Sequence, residues 1–126
     1  MVRFSTEQID PKRVYEMIGK DAAGSVLFHF AVAKAMGAKH GITTHIDYQT
    51  NGDVKGNLKD IETELKEKWG LTDVLLLRRQ GMVAVGEIIS LVAVSSPGSE
   101  AAFAACHHGI ACLKKMPTII KTEIYS

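Results

Sequence analysis

The strongest periodicity in the chain runs from Val54 to Trp69, where Val54, Leu58, Ile61, Leu65 and Trp69 recur every three or four positions with lysines and glutamates between them. That spacing predicts an amphipathic helix over Val54–Trp69, stopped by Gly70. A second helical pattern follows Ser96, read as the cap, with Pro97 as first residue and an end near Met116. Its apolar stripe is Phe103, Cys106, Ile110 and Leu113. A third, shorter helix is predicted from the Asp10–Pro11 start, with Val14, Met17 and Ile18 on its buried side and an end across Gly19–Gly24.

The remaining apolar runs have strand character. Val2–Phe4 reads as a short edge strand, and Ser25–Lys34 as a strand covered on both faces. Ile42–Tyr48, Val74–Leu77, Met82–Val85, Ile88–Ser95 and Thr118–Tyr125 complete the set. Ala35–Gly41 is read as a loop, with turns at Thr50–Asp53, Gln80–Gly81 and Gly86–Glu87. No repeat, linker or low-complexity segment interrupts residues 1–126. The expected architecture is α+β: a single compact domain over 1–126, mostly antiparallel sheet with about three helices packed on it.

Composition narrows the function classes. Apolar content of 46% and charged content of 23% in 126 residues describe an ordinary globular domain with a core of its own. A net charge of +1 with no lysine–arginine block gives no sign of nucleic-acid binding. No apolar run approaches a membrane span and the N-terminal residues lack the apolar core of a signal peptide, so a cytoplasmic, reducing setting is expected. Cys106 and Cys112, six apart on one predicted helix, lie on different faces and do not bridge. Cys106 falls in the apolar stripe and reads as inert packing.

Candidate chemistry concentrates in Phe103–Glu123. The helix breaks at Pro117 and the chain resumes as a strand whose alternation places Ile119, Lys121, Glu123 and Tyr125 on one face. Lys114 borders the apolar stripe, so its stem lies along apolar surface. A helix end and the strand leaving it can bring Lys114 and Lys121 to one pocket. Ammonium groups held close and partly desolvated lower each other's pKa, which suits them to proton transfer near neutral pH. Lysines near a helix C-terminus also serve the helix dipole alone, and that ordinary role stands beside the catalytic one.

Anion binding has several candidates: Arg78 and Arg79 at a strand end, Lys34 at another, and the helix start at Gly98–Ser99. A solvated strand end accounts for Arg78–Arg79 equally well. His108 and Cys112 share a helix face, with His107 adjacent, but chain spacing supplies no further pair to complete a metal site, so no metal and no cofactor is expected. His29 and His45 lie in strands and read as hydrogen-bonded structural residues.

In order along the chain, these segments resemble the large, catalytic subunit of molybdopterin synthase. The likeness rests on Gly24-Ser25-Val26-Leu27, the Leu58–Trp69 helix, Arg79-Gln80-Gly81 followed by Val85-Gly86-Glu87, and Ser95-Ser96 leading to Ala102-Phe103. Above all it rests on Leu113-Lys114, Pro117, Lys121 and Glu123, which keep the family's second lysine seven residues after the first and its glutamate two beyond that. The resemblance implies a central homodimer within a heterotetramer, each large subunit binding a small ubiquitin-like (β-grasp) subunit. That partner's C-terminal Gly-Gly tail, carried as a thiocarboxylate, gives sulfur to cyclic pyranopterin monophosphate to make the molybdopterin dithiolene of molybdenum cofactor biosynthesis. It implies Lys114 and Lys121 as catalytic residues.

Several positions depart from the family pattern. The His-Arg pair expected before the last helix is Gly98-Ser99, an expected arginine is Lys34, an expected glycine is Ala31 and an expected histidine is Arg78. Ile120 replaces a tryptophan, the proline stands one place early, and no basic tail follows the last strand in this sequence. Substrate phosphate contacts are then expected from Lys34, Arg78 and the Gly98–Ser99 helix start. Two other readings compete with the sulfurtransferase: a noncatalytic family member that binds the ubiquitin-like partner without pterin chemistry, and an unrelated small α+β dimer that senses a metabolite.

Overall fold

The computed structural model describes residues 1–35 and 41–126. Its elements are β1 (Val2–Ser5), α1 (Val14–Met17), β2 (Ser25–Val32), β3 (Thr43–Thr50), α2 (Val54–Trp69), β4 (Asp73–Arg79), β5 (Gly81–Ala84), β6 (Ile88–Ser96), α3 (Ser99–Lys114) and β7 (Ile119–Tyr125). The loop expected over Ala35–Gly41 lies, apart from its two ends, outside the described residues. The α+β architecture expected from the sequence is what the chain adopts.

Two sheets organise it. A four-stranded sheet runs β1-β4-β6-β2 and a three-stranded sheet β5-β3-β7. All pairings are antiparallel except β1 with β4, which runs parallel. In the larger sheet, strand alternation sorts side chains between two cores. Val74, Leu76, Val92 and Val94 face α2 and α3, whereas Leu75, Leu77, Leu91 and Ala93 face Val14 and Ile18 around α1. The edge strand β2 feeds both, Leu27 to the first and Val26, Phe28 and Phe30 to the second. A smaller cluster of Ala33, Ile46, Tyr48 and Val83 joins the two sheets.

Helix α2 is built as its period predicts. Val54, Leu58, Ile61 and Leu65 are buried, and Asp53 caps the start by accepting the Gly56 N–H at 2.9 Å. Gly70 ends it in the left-handed region at φ 57°, where a Cβ would be strained.

The other two helices differ from expectation. Asp10 does hold its turn, accepting the Lys12 N–H at 2.9 Å, but only one helical turn follows, Val14–Met17. Helix α3 starts at Ser99 with Gly98 at its cap, not at Ser96–Pro97. Ser96 remains in β6 because it pairs with Ser25 of β2, and its carbonyl takes the Gly24 N–H at 2.9 Å. Sheet pairing outweighs the local capping signal.

The buried face of α3 also departs from the predicted stripe. Ala102, Ala105, Cys106, Gly109 and Leu113 face inward, whereas Phe103 is 66% exposed. Small residues are required there because α3 lies close upon β6 and α2. A Cβ on Gly109 would stand 3.0 Å from Val92 Cγ1 and 3.2 Å from Leu65 Cδ1. Close seating fixes the axis of α3 and hence where its C-terminal end delivers Lys114.

Candidate functional site

Helix α3 ends over the junction of the two sheets, and a cavity of about 230 Å³ lies beneath that end. The route from α3 into β7 is short and pinned. Asn51, in the turn after β3, donates its backbone N–H to the Thr118 carbonyl at 2.6 Å and its side-chain amide to the Pro117 carbonyl at 3.2 Å. Thr118 Oγ1 donates to Asn57 Oδ1 of α2 at 2.8 Å. Strand β7 then pairs with β3, placing Lys121 opposite Tyr48. Lys114 from the helix and Lys121 from the strand both line the cavity, as their spacing predicted.

Two further cations join them. Lys34 reaches the cavity from just beyond β2, and Arg78 from β4. Among the described residues, no aspartate or glutamate lines the cavity. Arg78 and Arg79 are adjacent in sequence, but alternation sends them to opposite faces of the sheet. Arg78 faces the α3 side, where its guanidinium sits 5.0 Å from the Tyr48 ring centroid and Nη1 donates to the Leu113 carbonyl at 3.4 Å. Its Nε is buried with no hydrogen-bond partner, and no ion pair to it occurs among the described residues. Burial pushes the Arg78 pKa down, with Tyr48 acting the other way. A positive group in this position has the chemistry to dock an anion.

Arg79 has a different occupation. It is 6% exposed, stands 3.8 Å from Glu87 Oε2 through Nη1, and donates through Nη2 to the Met82 carbonyl at 3.4 Å. Glu87 also accepts the Ala84 N–H at 2.7 Å and the Gln8 amide at 2.6 Å. Arg79 braces the β5–β6 turn and does not line the cavity. Gly98 and Ser99 are also remote from it, at the opposite end of the 16-residue α3 from Lys114. That is about 24 Å away at the helical rise. The expectation that Arg78–Arg79 forms a solvated strand end fails for both residues, since one is partly and the other fully buried.

Sequence reasoning passed over Tyr48 and read His29 only as a hydrogen-bonded structural residue. Tyr48 is 2% exposed as a residue, yet it lines the cavity beneath Arg78. Burial pushes its pKa up, opposed by Arg78, so it is a neutral phenol at physiological pH. His29 lines the same cavity from β2, whereas His45 has its Nδ1 3.1 Å from Thr44 Oγ1. The signal was present: His29 and Ala31 share the face of β2 that looks toward α3, and Tyr48 pairs with Lys121. Cys106 is buried with Sγ directed to the Val92 carbonyl at 4.0 Å, and burial raises its pKa, in keeping with a packing role. Both cysteines are free thiols. No described helix is long and apolar enough to cross a membrane.

Comparison with known proteins places this geometry in a family setting. The model of the MoaE protein family matches residues 4–116, a span that includes Lys114. The molybdopterin synthase catalytic subunit of Staphylococcus epidermidis is 34% identical over 84 residues, covering 66% of this chain and 56% of that protein. The match thus spans little more than half of that relative's length. The crystal structure of molybdopterin synthase from Staphylococcus aureus superimposes with a TM-score of 0.87 at 26% identity, covering 98% of this chain and 90% of that one. A Helicobacter pylori complex of subunits 1 and 2 of molybdopterin-converting factor shares the fold, with a TM-score of 0.75, 13% identity and coverage of 99% and 89%.

Proposed function

We propose, from the premise that this chain belongs to the MoaE family, that it is the catalytic subunit of a molybdopterin synthase, acting as one domain over residues 1–126 in the cytoplasm. Its reaction is sulfur transfer from the C-terminal thiocarboxylate of a small ubiquitin-like subunit to cyclic pyranopterin monophosphate. The observation that carries this reading is the cavity in which Lys114, Lys121, Lys34 and Arg78 converge with no carboxylate among the described lining residues. Both reactants are anionic where they meet the protein, one through a thiocarboxylate and the other through a phosphate.

A cavity of about 230 Å³ is smaller than the roughly 300–1,000 Å³ of sites that enclose a drug-sized ligand. It suits an extended Gly-Gly terminus or a phosphate-bearing edge, the rest of the pterin extending past the mouth. In the proposed mechanism Lys114 holds the thiocarboxylate as its sulfur attacks the pterin, and Lys121 supplies and receives protons beside it. Attack forms a carbon–sulfur bond, displaces an oxygen substituent of that carbon, which leaves with a proton from Lys121, and joins the tail to the pterin as a thioester. Water then cleaves the acyl–sulfur bond, leaving sulfur on the pterin and a carboxylate on the tail, and a second tail repeats the sequence. Arg78 and Lys34 hold the substrate phosphate, Arg78 from below with Tyr48 donating beside it. Arg79 and the Gly98–Ser99 helix start take no part from within the same chain.

The partner is proposed to be a β-grasp subunit whose tail enters this cavity, with two copies of the present chain at the centre of a heterotetramer. The Helicobacter pylori complex of subunits 1 and 2 of molybdopterin-converting factor supports a second, small subunit as the partner. A second reading, a partner-binding protein without pterin chemistry, is favoured by one observation only, Gly98-Ser99 at the place of the family's His-Arg pair.

Reconstitution separates the two. The purified protein is mixed with a thiocarboxylated small subunit and cyclic pyranopterin monophosphate, and molybdopterin is assayed. Dithiolene formation that falls at least about a hundredfold in Lys114→Ala is the expected result. A stable complex without product supports the noncatalytic reading, and a Lys114→Ala variant of near-normal activity removes Lys114 from the mechanism.

A further inference from the structure

Away from the cationic cavity, α2 and α3 bring together a set of side chains that the proposed sulfur transfer does not use. We propose that Glu64, His108 and Cys112 form a binding site for one divalent cation of the zinc class. Chain spacing offers only His108 and Cys112, four apart on one face of α3, and the third ligand comes from the facing helix. The imidazole nitrogen, thiol sulfur and carboxylate oxygen lie within 4.8 Å of one another. His108 Nε2 already stands 2.7 Å from Glu64 Oε1.

The surroundings hold this arrangement in place. The Trp69 ring lies 5.4 Å from the His108 ring at an interplanar angle of 53°, which limits the imidazole to few orientations. Cys112 packs along the edge of the main core. All three residues keep partial exposure, Glu64 the most, so an ion has a path in. Asp60 and Glu67 lie with Glu64 along the same exposed surface of α2 and add a negative field. Lys68 and Lys115 are the nearby cations that oppose it.

Sulfur, nitrogen and oxygen donors in one group suit zinc, whereas magnesium and calcium take oxygen alone. Ligand atoms around a tetrahedral zinc stand about 2.0–2.3 Å from the metal and hence roughly 3.3–3.8 Å apart. The Glu64–His108 contact opens by about half an ångström and Cys112 closes by at most about 1.3 Å, within the reach of side-chain rotation. On binding, the Cys112 thiol releases its proton to solvent and ligates as thiolate, and His108 ligates as neutral imidazole. Three protein ligands leave the fourth position to water. Bound there, the ion fastens the last turn of α3 to α2, two residues before Lys114.

The test uses tag-free full-length protein stripped with a chelator and titrated with cobalt(II), then zinc(II). The expected result is one equivalent of cobalt bound, with visible bands of tetrahedral intensity and a near-ultraviolet thiolate-to-cobalt band, all displaced by zinc. Cys112→Ser abolishes the thiolate band, and both it and Glu64→Gln weaken zinc binding at least about tenfold, while His107→Ala leaves it unchanged. Circular dichroism checks that each variant is folded, and zinc raises the melting temperature of the parent but not of Cys112→Ser. Absence of the thiolate band in the parent, or zinc affinity indifferent to both Cys112→Ser and Glu64→Gln, overturns the site.

Discussion

Replacing Arg78 with methionine isolates what the buried guanidinium does. In the anion-free protein the residue contributes little to stability, because its favourable contacts and its burial oppose each other. Lost on substitution are a stacking contact with Tyr48, worth about 0.5–1 kcal/mol, and one long hydrogen bond to Leu113, worth at most about 1.5 kcal/mol. Relieved is the desolvation of a cation whose Nε has no partner, about 1–3 kcal/mol. Arg78→Met is therefore expected to fall within about 1 kcal/mol of the parent.

Anion affinity should respond far more. A hydrogen bond to a charged group contributes about 1.5–3 kcal/mol, a factor of roughly 10–150 in Kd. Thermal unfolding with pyrophosphate as the probe reads both quantities. At a concentration about 100 times the parent Kd, the anion stabilises the parent by about 2.7 kcal/mol. A variant about 30-fold weaker retains roughly 0.9 kcal/mol at the same concentration. For a domain of this size the melting shift is about 4 °C per kcal/mol, so the comparison is roughly 11 °C against 4 °C. Equal pyrophosphate shifts in parent and variant, or an anion-free loss above about 2 kcal/mol, refute the assignment of Arg78 as an anion-docking group.

Further outcomes follow from other parts of the structure. Leu113→Ala should lower stability by about 2–5 kcal/mol, whereas Phe103→Ser should stay within about 0.5 kcal/mol, both read by urea unfolding of the isolated chain. A large loss for Phe103→Ser contradicts the exposed position of that ring. Asp73 accepts the Gly19 N–H at 2.6 Å and the Val74 N–H at 2.8 Å, and stands 3.6 Å from Lys66. Burial alone raises its pKa, but these groups outweigh it and the net shift is downward. Its carboxylate thus contributes stability above the unfolded-state pKa near 3.9, lost as pH falls through the lower folded value. Asp73→Asn should be less stable at pH 7, the gap closing below about pH 4, and a pH-independent gap measured by denaturant titration contradicts this.

How far the fold could be read from the sequence depended on where each signal originates. Helix α2 was legible to the residue because its period and its Gly70 stop are both local. The start of α3 was not, because Ser96–Pro97 carries a local capping pattern that pairing with β2 overrides. Hydrophobicity alone places Phe103 in the core, while the true inner face needs small residues to fit against Val92 and Leu65. In the cavity, Lys114 and Lys121 were predictable from a helix end and a strand face. Tyr48, His29 and the split between Arg78 and Arg79 emerged only once the sheets were placed. Glu64 was invisible for a similar reason, since no spacing within α3 points to a residue on α2.

The short passage from Lys114 to Lys121 has a consequence of its own. Three contacts from Asn51 and Asn57 fix where β7 begins, and from that point side chains alternate across the strand. Whether Lys121 faces the cavity is then a matter of parity. Adding or removing one residue after Thr118 turns Lys121 outward and brings Ile120 or Thr122 into its place, with every backbone hydrogen bond of the strand still available. A change of two residues restores a cavity-facing position. The distance between the two lysines is thus set by helix geometry and loop anchoring, but their meeting depends on an odd-or-even count that also decides whether Ile119 meets the core.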